Sequence, residues 1–211
     1  MDKHPVEEVR LQGGLPASHS LAGIVTDLWG VTRAPGTAAA PTFPTFDQLW
    51  QATDETVDWT EALVREQPAD GTADRERWQF YHQQAAAVLS GDTSAYCAVL
   101  RKADPLGDLR PYARAFVVSA PDADTLRCTV TPEPALLQGE DAARRRYLCG
   151  LALRIARDLM ALLPVCQVAV LCPGEPVPLL EATYAREALQ DLRFGLIDPV
   201  ELTLSLGGRC P

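Results

Sequence analysis

"RRRYLCGLALRIARDLMALLPVCQVAVLC", residues Arg144–Cys172, is the stretch whose reading decides the fold. Leu148, Leu151, Ile155, Leu159 and Leu162 recur at three- and four-residue spacing, which places them on one stripe of a helix. Cys149, Leu153, Ala156, Met160 and Leu163 make a second stripe beside it, and Gly150, Arg154, Arg157, Asp158 and Ala161 cover the remainder. An apolar arc this wide exceeds what a surface helix needs. The spacing therefore predicts a central helix over about 140–163, covered by a sheet on one side and by N-terminal helices on the other. Pro164 stops it. "VCQVAVL" then reads as a strand.

Outward toward the C-terminus, "CPGEP" is a turn, "PLLEATYAR" a strand, and short helices follow at 187–192 and after Asp198-Pro199. Outward toward the N-terminus, "PYARAFVVS" and "TLRCTVTP" read as strands joined by the turn "APDAD". Two hairpins around one long helix predict an α+β fold with an antiparallel or mixed sheet. Residues 45–104 read as a helical layer packed on it. One helix is expected from Phe46 to about Glu66, where Thr45 and Gln48 have capping-box spacing. A second is expected from about Ala73 to Leu89, with Thr72 as its cap. A third follows Asp92 and ends before Asp104-Pro105. Residues 105–211 form the α+β region and make one compact unit with 45–104.

Residues 1–44 read as an accessory segment. The first twenty lack any period, and Thr32–Thr45 is rich in Pro and Ala, as linkers are. Between them Leu21, Ile24, Val25, Leu28 and Trp29 share one helical face. That arm either docks on its own domain or reaches another chain.

Composition narrows the function classes. The chain has 211 residues and a formal net charge of −9, which speaks against a general nucleic-acid binder and suits a basic partner. Its only lysines are Lys3 and Lys102, so Schiff-base chemistry is not expected. No secretory signal and no apolar run of the ~20 residues that span a bilayer are visible, so a cytoplasmic protein is expected, with no membrane partner. None of the G-x-S-x-G, H-E-x-x-H, P-loop or G-x-G-x-x-G patterns occurs. No cofactor is expected.

The six cysteines, at 97, 128, 149, 166, 172 and 210, include no C-x-x-C pair, and no metal site is expected. Cys166 and Cys172, six apart on one strand, stand about 20 Å from each other and cannot pair. A strand that doubles back along the helix returns Cys172 to the level of Cys149. A Cys149–Cys172 thiol pair is thus the alternative to simple core packing. Arg144, Arg145 and Arg146 fan around the first turns of the helix. They offer either a solvated, salt-bridged face or a contact for an anion or acidic partner. His4, His19 and His82 form no catalytic pattern.

Two functions are weighed. The leading one is a non-enzymatic protein that binds a partner protein or a second copy of itself. The other is a metal-dependent phosphoesterase using Asp124, Glu175 and Glu181, although no lysine accompanies these acids.

"YLCGLALRIARDLMALLPVCQVAV" resembles part of an uncharacterised group of bacterial proteins, of a Firmicutes type, that share a C-terminal α+β domain. The resembling features are the Arg-bearing apolar helix, its ending in "ALLPV" before a strand, and the later "LIDPVEL". The likeness spans roughly residues 112–206. It implies an α+β domain and a bacterial cytoplasmic origin, and it carries no activity.

Overall fold

A computed structural model describes residues 6–12, 49–68 and 72–211. Five strands form one mixed sheet in sequence order: β1 (Glu8–Gln12), β2 (Ala113–Ser119), β3 (Thr125–Pro132), β4 (Gln167–Cys172) and β5 (Leu180–Ala185). All neighbours are antiparallel except β3 and β4. A parallel pair needs a crossover, and the 22-residue helix α4 (Asp141–Leu162) supplies it. The expected α+β architecture, two hairpins around one long helix, is what the chain adopts.

The strands alternate. Val9, Leu11, Phe116, Val118, Leu126, Cys128, Val130, Val168, Val170, Leu180 and Tyr184 are buried. Their neighbours, such as Arg10, Arg127, Thr131 and Glu181, face outward and are exposed. The sheet thus buries one face, as antiparallel-rich sheets commonly do. On that face α4 lies against β4 and β5. From Tyr147 to Leu162 every residue except Arg157 is buried, so the helix is enclosed on nearly all sides. Pro164 prevents its continuation. Arg186, just after β5, donates to the carbonyls of Met160, Leu163 and Val165 at 2.7–2.9 Å, satisfying the open helix end.

The remaining helices are α1 (Trp59–Val64), α2 (Thr72–Leu89), α3 (Thr93–Ala103), α5 (Arg186–Leu189) and α6 (Pro199–Ser205). Asp92 caps α3 through Ser94 N–H, and Asp198 caps α6 through Val200 and Glu201 N–H. Gly91, at φ +78°, turns the chain between α2 and α3. A Cβ there would meet the Ala123 side chain at 2.6 Å. No helix among the described residues is long and apolar enough to cross a membrane.

Three expectations are corrected. The helix expected over 46–66 is helical only from Trp59 in its described part. Thr53, Asp54, Thr56, Val57 and Asp58 are poor helix formers, and the backbone amides of Asp54 and Val57 donate to α4 instead. The far side of α4 is accordingly covered by this non-helical strap and by α6, rather than by N-terminal helices. Within the first twenty residues, read as a periodless tail, Glu8–Gln12 pairs with β2 as an edge strand. Five residues are too short a run to signal a strand before its partner is known.

Candidate functional site

The site grows from the strap, residues 49–58, and from how α4 holds it. Asp158 accepts from Thr53 Oγ1 and from Asp54 N–H, both at 3.1 Å. Arg157 donates to the carbonyls of Trp50, Gln51 and Ala52, while its guanidinium lies 3.6 Å from the Phe194 ring centre. Val57 N–H donates to Ala161 O at 2.8 Å, and Trp59 Nε1 to Leu162 O at 2.7 Å. Trp50 seats its ring over Gly150, where an added Cβ would stand 2.8 Å from Trp50 Cε3. Arg146 lies over the same ring at 5.0 Å. Trp50 Nε1 is buried without a hydrogen-bond partner, so shape and the cation hold this indole.

Beneath the strap, Arg154 gathers three carboxylates. Its Nε donates to Asp158 at 2.6 Å, and its Nη2 stands 2.8 Å from Asp108 and 3.9 Å from Asp54. The Arg154 side chain is 6% exposed and that of Asp158 is 0%. Burial, reinforced by Asp54 and opposed by Arg154, pushes the Asp158 carboxyl up to about 7. Asp54 is also raised, by burial and by Asp108, against the pull of Arg154.

The outer side of the strap, α1, α2 and the end of α3 enclose two adjoining hollows of about 400 and 470 Å³. They share Glu55, Val57, Arg77 and Tyr81 as walls. An aromatic group forms the α2 side. Tyr81 meets Trp59 at 5.4 Å and Phe80 at 5.6 Å, and Trp78 stacks on His82 at 4.8 Å. Trp78 Nε1 donates to Arg65 O at 3.0 Å, and His82 Nδ1 lies 3.0 Å from Ala62 O, so α2 fixes α1 in place. Arg77 approaches the Tyr81 ring at 5.8 Å. Burial raises the Tyr81 hydroxyl above its ordinary value, with Arg77 opposing, so it stays protonated at neutral pH. Asp54, Glu55, Asp58, Glu61 and Glu76 outnumber Arg65, Arg77 and Lys102 along the walls.

The residues singled out by sequence fall elsewhere. Leu21, Ile24, Val25, Leu28 and Trp29 lie outside the described residues. Arg144 pairs with Asp141 at 3.0 Å, and Arg146 pairs with Asp198 at 2.9 Å. Arg145 is exposed on α4. All six cysteines are free. Cys149 on α4 and Cys172 on β4 are both buried in the core. The acids Asp124, Glu175 and Glu181 are not brought together. Asp124 precedes the Thr125–Gln167–Ala185 row, Glu181 lies four residues along β5, about 13 Å away in the strand direction, and Glu175 sits in the β4–β5 turn. Among the described residues no group of three His, Cys, Asp or Glu could hold a metal ion.

Sequence reasoning missed the strap and its anchors. A signal existed: Arg154 and Asp158 are a charged i,i+4 pair inside an otherwise apolar helix, and buried charges require partners. Comparison with protein-family models, with curated proteins and with solved structures finds no match.

Proposed function

We propose that this chain is a cytoplasmic binding protein, not a catalyst, and that its cleft takes a basic, apolar-tipped segment of a partner protein. The observation that carries this reading is the pairing of aromatic walls with an acid-rich rim. Tyr81, Trp78 and Phe80 are each half-buried and offer apolar faces. Five carboxylates against three cations make the rim net negative. Aromatic anchors inside a rim of complementary charge are the usual anatomy of a protein contact. The overall charge of −9 adds long-range attraction for a basic partner and opposes self-association.

A photo-crosslinking amino acid at Thr56, on the exposed lip of the cleft, tests this. In lysate of the native host it should label one partner, through a Lys- or Arg-rich peptide identified by mass spectrometry. Glu55→Lys with Glu61→Lys should reduce that labelling at least tenfold. The same probe at Thr183, on the open face of the sheet, should not label it. Equal labelling from both positions, an acidic crosslinked peptide, or a self-crosslinked dimer would overturn the proposal.

A further inference from the structure

Arg77 and Tyr81 stand one turn apart on α2, and the Arg77 guanidinium lies 5.8 Å from the centre of the Tyr81 ring. Both residues wall both hollows of the cleft, so this guanidinium stands at the wall the hollows share. Trp59 and Phe80 hold the ring at 54° and 75° to its plane, so neither lies flat on it. A planar cation can therefore stack there. Two other arginines use the same chemistry: Arg157 lies over Phe194 at 3.6 Å and Arg146 over Trp50 at 5.0 Å. The Arg77 contact is the loosest of these three, close to the ~6 Å at which a ring ceases to attract a cation.

The carboxylates of the cleft differ in how they are engaged. Asp58 caps α1 through Glu61 N–H at 2.9 Å, Glu61 faces Arg65 at 3.8 Å, and Asp54 stands 3.9 Å from Arg154. Glu55 and Glu76 are exposed and enter no ion pair among the described residues. Glu55 walls both hollows and Glu76 the second. The shared wall thus holds an unpaired carboxylate, an aromatic ring and a guanidinium.

Resting on the reading of this cleft as a site for a basic segment, we propose that the segment's anchor is an arginine. Its guanidinium takes the Tyr81 ring and the Glu55 carboxylate, and Arg77 is the cleft's own stand-in, displaced when the partner binds. A guanidinium is planar and weakly hydrated, stacks on an aromatic ring, and presents a fork of N–H donors that matches a carboxylate. A lysine ammonium is a compact, strongly hydrated point charge and gains less from the ring. Displacing Arg77 costs little. Its side chain is exposed on the surface of α2 and can turn into water without moving the backbone. The ring contact it gives up is replaced by the incoming guanidinium. In place, Arg77 repels other cations, so it selects against bases that cannot stack on Tyr81.

Fluorescence anisotropy of two short labelled peptides, titrated with the full chain at fixed salt, tests this. One peptide carries two arginines between phenylalanines, and the other carries two lysines in their place. The arginine peptide should bind about fivefold tighter or more, the size of a stacked cation on a partly exposed ring. Arg77→Gln should tighten its binding further, and by more than Lys102→Gln, which removes the same charge from the wall of the second hollow. Glu55→Gln should weaken the arginine peptide more than the lysine peptide. Tyr81→Leu should erase the difference between them, and thermal melts of each variant separate a lost ring from a lost fold. Equal affinities for the two peptides, equal gains in Arg77→Gln and Lys102→Gln, or a preference that survives Tyr81→Leu would overturn arginine selection and leave the acidic cleft standing. Binding of neither peptide would overturn the cleft reading and this inference with it.

Discussion

Arg154 and Asp158 stand one turn apart on α4 and meet at 2.6 Å inside the protein, yet neither serves the helix itself. Asp158 also takes Thr53 and Asp54 of the strap, and Arg154 reaches Asp108 before β2. One ion pair thereby joins the central helix to two distant segments. Removing its cation should be severe. Arg154→Ala leaves Asp54, Asp108 and Asp158 facing one another, and a loss of about 3–5 kcal/mol is expected. Asp158→Asn still accepts hydrogen bonds and should cost less. Urea denaturation of both variants checks the order; equal losses would refute it.

The same carboxyl makes stability depend on pH in an unusual direction. Asp158 titrates at about 7 when folded, against about 3.9 in an unfolded chain. Between those values the folded protein holds a proton that the unfolded chain has released. Stability therefore falls as pH rises from about 4 to about 7, and it levels off above that. Asp54 and Asp104 shift in the same sense. The urea midpoint should be higher at pH 5.5 than at pH 7.5, and Asp158→Asn should shrink the difference.

Gly150→Ala tests the seat of Trp50. Alanine is the better helix former by up to ~1 kcal/mol, but its Cβ would press on the ring at 2.8 Å. Overpacking of ~1–3 kcal/mol should outweigh that gain and leave a net loss of about 1 kcal/mol. Acrylamide quenching of tryptophan fluorescence should increase as the indole lifts. A stabilised variant with unchanged quenching would show that the ring shifts freely.

Ile155 is fully buried at the middle of α4. Ile155→Ala should cost about 2–5 kcal/mol, as large-to-small changes in packed cores do. An unchanged denaturation midpoint would contradict the enclosure of the helix.

Arg157→Gln separates the strap from the core. It removes a donor shared by three strap carbonyls and the cation on Phe194. Amide exchange over residues 52–56 should accelerate at least tenfold, while exchange in β3 and β4 stays unchanged. Uniform acceleration would mean global destabilisation instead.

Much of the fold was readable. The double stripe of α4, the alternation in β3 and the Asp caps of α3 and α6 are local patterns, and the structure follows them. The cleft was not readable. Trp78 and Tyr81 stand three residues apart, the spacing of one helix face, but nothing in α2 says that this face is only half-covered, because that depends on where the strap lies.

By itself the sequence determined the long helix α4 and the strands β2 to β5, because hydrophobic period and turn chemistry act over a few residues. Only the tertiary structure decided that residues 49–58 stay non-helical and that Glu8–Gln12 is a strand. In each case the deciding contact comes from more than 50 residues away. The strap satisfies its backbone on Asp158 and Arg157, and the edge strand on β2.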